Sequence, residues 1–420
     1  MNLFNRRCMV FMLIASLYFT VALVSCFEDD DSKDAVVSSR SYSGHESDMD
    51  ANNFVGAYNS KVGTRLDDCQ LCHTGGTVQY YRNGVTTDIR NLVVTNPCQY
   101  CHISAEARTN GYPALDPDQY YKEDTLPQTF AATLNAYGLA YLNNGRTLAA
   151  VTAIESQDSD GDGYSNIDEI NDNRYPGDAA SKPGQDLAPT KTYTMSQVKA
   201  LANHTQFMLM NTTKQQYDDY TTYTGVTIRN LLIEAGVNPD DIDFTGVTVI
   251  APDGYQVTYT KDLINQQFPN GTLYDVPEFT DTAMNFITYP DTLPSGVTLG
   301  AEITNPLYII LAFQREGFDL DSAYYEPTYG RLEGEGPFRL VIPQSTASRP
   351  DRGSKSTVYG DGWDYSSAFD HNAGKCVRGI SVIRVEPMPA GYEEYDWKNT
   401  WSLIQDKSVV IYGYGITAEK

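Results

Sequence analysis

Apolar positions change their period several times along this chain. Phe130, Leu134, Tyr137 and Tyr141 recur at i, i+4, i+7 and i+11, one face of an amphipathic helix that Asn144-Gly145 brings to a stop. Leu148, Val151 and Ile154 suit a second helix. Much later, Ile228, Leu231, Leu232 and Ala235 form another helical stripe, closed by Gly236. Alternation then takes over: a strand over 247–250, a turn at Pro252-Asp253-Gly254, a return strand over 257–259 and a short helix over 261–268. Runs over 307–313 and 338–342 read as buried strands, and 380–385 alternates again. Between the two regimes, residues 171–192 are rich in Asp, Gly, Pro, Ser and Lys, the composition of a linker. The pattern predicts an α+β chain, with a small helical and coil segment first and a mostly-β domain after it.

Composition narrows the function classes. Across 420 residues, acids outnumber bases 54 to 30 and the net charge is −24, which repels phosphate backbones and argues against nucleic-acid binding. The 31 tyrosines exceed what core packing asks for and suggest contact surfaces or walls around something flat and apolar. Arg6 and Arg7 precede an apolar run over 8–24 and then Leu23-Val24-Ser25-Cys26. That arrangement resembles a bacterial lipoprotein signal over residues 1–25, with Cys26 as the lipid-bearing first residue of the exported chain. The apolar run is too short for a lasting transmembrane helix.

Export leaves Cys69, Cys72, Cys98, Cys101 and Cys376 to explain. Four of them lie in Cys69-Gln-Leu-Cys72-His73 and Cys98-Gln-Tyr-Cys101-His102, the C-x-x-C-H pattern of c-type haem attachment, present twice. Two thiols three positions apart can each form a thioether with one vinyl group of the same porphyrin, and the next residue then supplies a ring nitrogen to the iron. The alternatives are a four-cysteine zinc site, which would not require a histidine after each pair, two vicinal disulfides in an oxidising compartment, and a thioredoxin-like redox motif, which would need a βαβ context that the pattern lacks. Each iron also has a sixth position. Only His45 joins the two proximal histidines in the haem-bearing segment, with Met49 as its competitor, so His45 is the first choice for a distal ligand. His371 and then His204 follow, by reaching across domains or subunits. An open, five-coordinate iron would suggest catalysis instead.

The stretch Asp158-Ser-Asp160-Gly-Asp162-Gly163-Tyr164-Ser-Asn-Ile-Asp-Glu169 carries every position of the twelve-residue calcium loop. Carboxylates at Asp158, Asp160 and Asp162, the Tyr164 carbonyl and a bidentate Glu169 supply hard oxygens, and Gly163 makes the sharp turn. Such a site outside the cell is expected to be structural rather than sensory.

Two resemblances complete the reading. The segment with both motifs and the calcium loop, together with Asn135-x-Tyr137-Gly138, resembles parts of multihaem c-type cytochromes from metal-respiring bacteria. Residues 193–387 resemble the molybdopterin-binding domain of the sulfite oxidase family. The matching stretches are Tyr223-Thr-Gly225 through Gly236-Val, Ala251-Pro-Asp-Gly-Tyr255, Gly336-Pro-Phe-Arg-Leu-Val-Ile-Pro343 and Lys375-Cys-Val-Arg-Gly-Ile380. That family holds molybdenum through a cysteine in a Cys-x-x-Asn segment, whereas this chain has Met208-Leu-Met-Asn211, and a thioether does not replace an anionic thiolate. Cys376 falls in the counterpart of a late core strand and reads as a buried thiol. Molybdopterin is therefore not expected, and the β domain is expected to dock or assemble.

The expected organisation is a signal over 1–25, a dihaem cytochrome domain with the calcium loop over 26–170, a linker over 171–192, a sulfite-oxidase-like β domain over 193–390 and an extension over 391–420. The expected function is electron transfer at the cell envelope or outside it. Two covalent haem c groups, Ca2+ and a lipid anchor in the outer membrane would serve it, facing the periplasm or the cell surface. Redox proteins, such as other cytochromes, or an extracellular acceptor would be its partners. Its rivals are a molybdenum oxidoreductase with built-in haems and a subunit of an extracellular cytochrome filament, itself a homo-oligomer. On this reading the chain carries electrons rather than catalysing a reaction.

Overall fold

In the computed structural model the described residues are 49–81, 86–87, 89–94, 97–106, 121–214, 217–326, 331–354, 356–398 and 400–417. The first third is built from short helices and single turns. The helix Met49–Ala57 leads to a 3-10 turn at Cys69–Leu71 and a hairpin, Gly76–Tyr81 with Ile89–Val94, paired antiparallel from Gly76↔Val94 to Tyr81↔Ile89. The helix Pro97–His102 follows, with proline at its first position, where the missing N–H costs nothing.

The expected continuous helix through Phe130 and Tyr141 is split. A 3-10 turn spans Phe130–Thr133, Leu134 is extended, and a separate α-helix runs over Ala136–Asn143. Asn135 is the cause: its side chain accepts a hydrogen bond from the Gly138 amide and caps the new helix, an alternative that short polar side chains offer the backbone. Leu134, released from helix, forms a β-bridge with His73. Two more capped helices follow, Leu148–Ala153 behind Thr147 and Asn166–Asn171 behind Ser165. Phe54, Leu66, Leu71, Tyr137, Tyr141, Val151, Ile154, Ile170 and Tyr175 close a core among these elements. Val78, Val94, Ile103, Tyr121 and Leu126 form a smaller one beneath the hairpin.

The remainder is dominated by two sheets. One has the strand order Thr190–Thr194, Ser408–Gly413, Val382–Glu386, Gly246–Ile250, Gln256–Thr260; only the Ser408–Gly413 to Val382–Glu386 pairing is parallel. The other runs Phe318–Asp319, Ile310–Arg315, Asp218–Thr227, His204–Met210, with Arg339–Val341 also paired to Ile310–Arg315. Val247, Val249, Ile383 and Ile411 of the first sheet share one core with Met208, Met210, Val226 and Leu311 of the second. The helix Ile228–Glu234 adds Leu231 and Leu232 to it, and Gly236 ends that helix at φ +87°. Ile250, Val382, Val410 and Tyr412 face the other way and are covered by Leu403, Tyr395 and Trp397. Such strands, buried on both faces, explain the continuous apolar runs.

The architecture is α+β, with boundaries different from the expected ones. Residues 391–420 are no appendage: Ser408–Gly413 is an inner strand of the first sheet, and its partner Thr190–Thr194 begins inside the expected linker. Asp186–Leu187 likewise pairs with Tyr392–Glu393. All described residues belong to one compact unit, Arg40–Lys420.

Candidate cofactor and metal sites

One turn of backbone carries the first motif. The Asp68 carboxylate accepts from the Gln70 amide at 2.9 Å, and the His73 amide donates to the Cys69 carbonyl at 2.9 Å. Asn135 braces this turn from outside. Its backbone N–H donates to the Cys72 carbonyl at 2.9 Å, and its Nδ2 donates to the carbonyls of Gln70 and Leu71 at 3.1 and 3.0 Å. Cys69 and Cys72 are partly exposed and form no disulfide.

The imidazole of His73 is oriented by a specific contact. Its Nδ1 lies 3.0 Å from the Thr133 hydroxyl, whose oxygen is also 2.8 Å from the Phe130 carbonyl. A carbonyl only accepts, so the single hydroxyl proton goes to Phe130, and Oγ1 then accepts from His73 Nδ1–H. The lone pair of the neutral ring is thereby placed on Nε2, the nitrogen suited to an iron. The Phe130 ring meets His73 edge-on, with centroids 5.3 Å apart, and the Arg146 guanidinium lies 4.4 Å above that same ring while pairing with Asp50 at 2.5 Å. Two unbridged thiols on one turn, followed by an imidazole with its metal-binding nitrogen defined, fit a covalently held haem.

The second motif occupies the helix Pro97–His102, which packs against both the Cys69–Leu71 turn and the Phe130–Thr133 turn. The two motifs are therefore neighbours. Cys101 is partly exposed and forms no disulfide; the side chain of Cys98 lies outside the described residues. Gly76 packs directly against the Tyr100 ring, which a Cβ at that position would displace.

The acidic loop over 158–169 brings three of its expected ligand residues together. Ligand atoms of Asp158, Asp160 and Asp162 lie within 4.8 Å of one another. Glu169 is fully buried, and neither of its carboxylate oxygens, nor Oδ2 of Asp160 and Asp162, has a hydrogen-bond partner. Burial, and then the charges of Asp160, Asp162 and Asp158, push the Glu169 carboxyl up to about 9; burial above all raises Asp160 to about 6. The three clustered aspartates, together with the unpartnered oxygens of Glu169 whose carboxyl feels their charge, are a donor set that a hard cation would satisfy. Gly163 sits at φ +101°, and Tyr164 follows with its amide on the Asp162 carboxylate. Asn166 turns inward: it is buried, donates to the Ile154 carbonyl at 2.8 Å and accepts from the Ser159 amide at 3.2 Å. Its task is to close the loop onto the helix before it.

Other expected positions are dispersed. Cys26 and His45 lie outside the described residues. Met49 is exposed at the start of its helix. His204 lies on the strand His204–Met210, with Nε2 3.1 Å from both Gln206 and the Pro306 carbonyl. His371 stacks on Tyr365 and directs Nε2 at the buried Asp351 carboxylate, 3.2 Å away. Each thus has a local partner within the β-rich part. Cys376 is buried beside Met210, its Sγ 3.8 Å from the thioether and accepting from the Ile342 amide, and burial pushes its thiol up. Met208 is buried on the same strand as Met210, and its sulfur accepts from Gln206 Nε2 at 3.3 Å.

Thr133 went unmarked in the sequence. The one signal for it is a hydroxyl at the end of the apolar run Phe130-Ala-Ala, and nothing local ties it to a histidine 60 positions earlier. Among the described residues no helix is long and apolar enough to cross a membrane. No protein-family model matches the chain, and no curated protein matches it.

Proposed function

We propose that this chain is an exported dihaem c-type cytochrome, anchored through lipid on Cys26, that carries electrons at the cell envelope or beyond it. The observation that carries the proposal is the His73 site: Cys69 and Cys72 unbridged on one turn, and the imidazole held by Thr133 with its lone pair on Nε2. Cys69, Cys72 and His73 would hold one haem; Cys98, Cys101 and His102 would hold the other. The haem iron supplies one-electron exchange between its ferric and ferrous states. The chain's own residues do the remaining work. Asn135 fixes the carbonyls of the first motif, Thr133 keeps the His73 proton on Nδ1, and Phe130 with Arg146 covers one edge of the ring. The packing of the Pro97–His102 helix on the first motif would bring the two groups close enough for electrons to pass between them.

Asp158, Asp160, Asp162, the Tyr164 carbonyl and Glu169 would hold a structural Ca2+. The β-rich part, with methionine at 208 where the sulfite oxidase family has its cysteine, serves as a docking or assembly module for a redox partner protein. Extraction of the purified protein with acidified acetone tests the proposal. The pigment should stay with the polypeptide at two haems per chain, and release of the pigment would overturn it.

A further inference from the structure

We infer that Thr133 is the positioning residue of the His73 site: its hydroxyl selects the Nδ1–H tautomer of His73 and, through it, sets the reduction potential of one of the two haems. The inference rests on the electron-transfer reading for its second half only, because the tautomer is a property of the chain itself.

Thr133 is completely buried at the end of the turn Phe130–Thr133 and is held by backbone as well as side chain. Its carbonyl accepts from the Thr74 amide at 2.9 Å, next to His73, and the adjacent Leu134 is bridged to His73 itself. The hydroxyl is thus presented to the imidazole from a rigid support. It also stands in a directed chain, Nδ1–H to Oγ1–H to the Phe130 carbonyl, in which each hydrogen bond polarises the next. A polarised acceptor at Nδ1–H draws that proton outward and makes Nε2 the stronger donor. A stronger imidazole donor favours ferric over ferrous iron, so removing the acceptor should raise the potential. Thr133 contacts His73, so only one of the two potentials should respond.

Thr133→Val keeps the shape and branching and removes the hydroxyl; Thr133→Ser restores it. The first measurement is the 15N spectrum of the full-length chain labelled in histidine, prepared without haem. Wild type and Thr133→Ser should show His73 as the Nδ1–H tautomer, while Thr133→Val should shift towards Nε2–H. An Nε2–H signal for His73 in the wild type overturns the inference, whatever becomes of the variants. The second measurement is spectroelectrochemistry of the haem-loaded protein. Thr133→Val should move one potential upward by about tenfold in the ferric-to-ferrous equilibrium, or ~59 mV for one electron, with the other unmoved and Thr133→Ser close to wild type. Two unchanged potentials in Thr133→Val overturn the second half. If the matured wild type carries no covalent haem, the electron-transfer reading fails, and the tautomer spectrum still decides the role of Thr133.

Discussion

Arg65 and Glu393 stand 328 positions apart and meet at 2.5 Å. Four residues after Arg65 comes the first cysteine of the first motif, and Glu393 belongs to the strand that pairs with Asp186–Leu187. Arg65 also reaches Asp396 through two hydrogen bonds and lies 4.4 Å over the Tyr175 ring, whose hydroxyl donates to the Arg65 carbonyl. Arg174 takes the other Glu393 oxygen at 2.9 Å. Burial opposes the charge on Arg65, but the hydrogen bond to Glu393 and the charge of Asp396 more than offset it, and the guanidinium is held more basic than usual. The network clamps the motif-bearing segment to the C-terminal stretch.

Glu393→Gln keeps the shape and strips the shared negative charge from Arg65 and Arg174. Arg65 keeps Asp396 and Arg174 keeps Asp172, so neither cation is left unpaired, and the loss of the charged hydrogen bonds should destabilise the protein by about 1–3 kcal/mol. The measurement is the urea midpoint at unchanged slope. A midpoint equal to wild type would show that the clamp contributes nothing.

The calcium loop makes a prediction with two signs. Binding to the native state alone stabilises it by mass action, so excess chelator should lower the melting temperature without releasing pigment. Glu169→Gln removes a buried carboxylate that has no hydrogen-bond partner. The variant should therefore melt no lower than wild type in chelator, yet lose the gain on adding Ca2+. An equal calcium gain in both proteins would exclude Glu169 as a ligand.

Local patterns were legible in the sequence, and long-range pairing was not. The two C-x-x-C-H motifs and the acidic twelve-residue loop stand out because their residues sit within a few positions of one another, and the helix Ile228–Glu234 could be read because its period and its closing glycine agree. The split at Asn135 was hidden because apolar spacing ignores a cap in the middle of the stripe. The last strand illustrates a different limit. Its run Ser-Val-Val-Ile-Tyr-Gly is apolar enough to be a buried strand, but nothing in it announces a place between Thr190–Thr194 and Val382–Glu386. The contact of Thr133 with His73 and that of Arg65 with Glu393 exist only once the chain has folded.

Asp218 should give the stability a pH dependence. It is almost fully buried beside Asp351, and burial pushes its carboxyl from 3.8 up to about 8, against the hydrogen bonds it accepts from the amides of Thr212 and Asp351. A carboxyl with a raised folded value favours the folded state while protonated. Its contribution is complete below the unfolded value near 3.8 and is lost as the pH rises towards 8. Asp218→Asn cannot titrate and gives up one acceptor, so it should cost about 1 kcal/mol at pH 4 and flatten the decline between pH 4 and 8. Denaturant unfolding of both proteins across that range is the check. Parallel pH profiles would mean that Asp218 stays ionised in the fold.

Gly138 offers the sharpest test of how the first motif is held. It lies in the first turn of the helix Ala136–Asn143, where replacing glycine by alanine ordinarily stabilises a helix by roughly 0.5–1 kcal/mol. Here a Cβ would overlap the Cys72 carbonyl, and Leu134 stands 3.0 Å away on another side. That carbonyl also accepts from the Asn135 amide, so it cannot retreat without loosening the turn that carries Cys69 and Cys72. The sign of the substitution should therefore reverse, with a loss of about 1–3 kcal/mol, as overpacking costs elsewhere. Fewer haems should also be retained per chain, because the thiols lose their fixed spacing from His73. Gly145→Ala is the matched control. Its φ of +98° makes an added Cβ strained, yet nothing lies within 4 Å of it, so it should lower stability and leave the haem count alone. If Gly138→Ala melts at or above the wild-type temperature with both haems in place, the close approach of the helix is not what holds Cys72, and the brace must be sought in the hydrogen bonds of Asn135 alone.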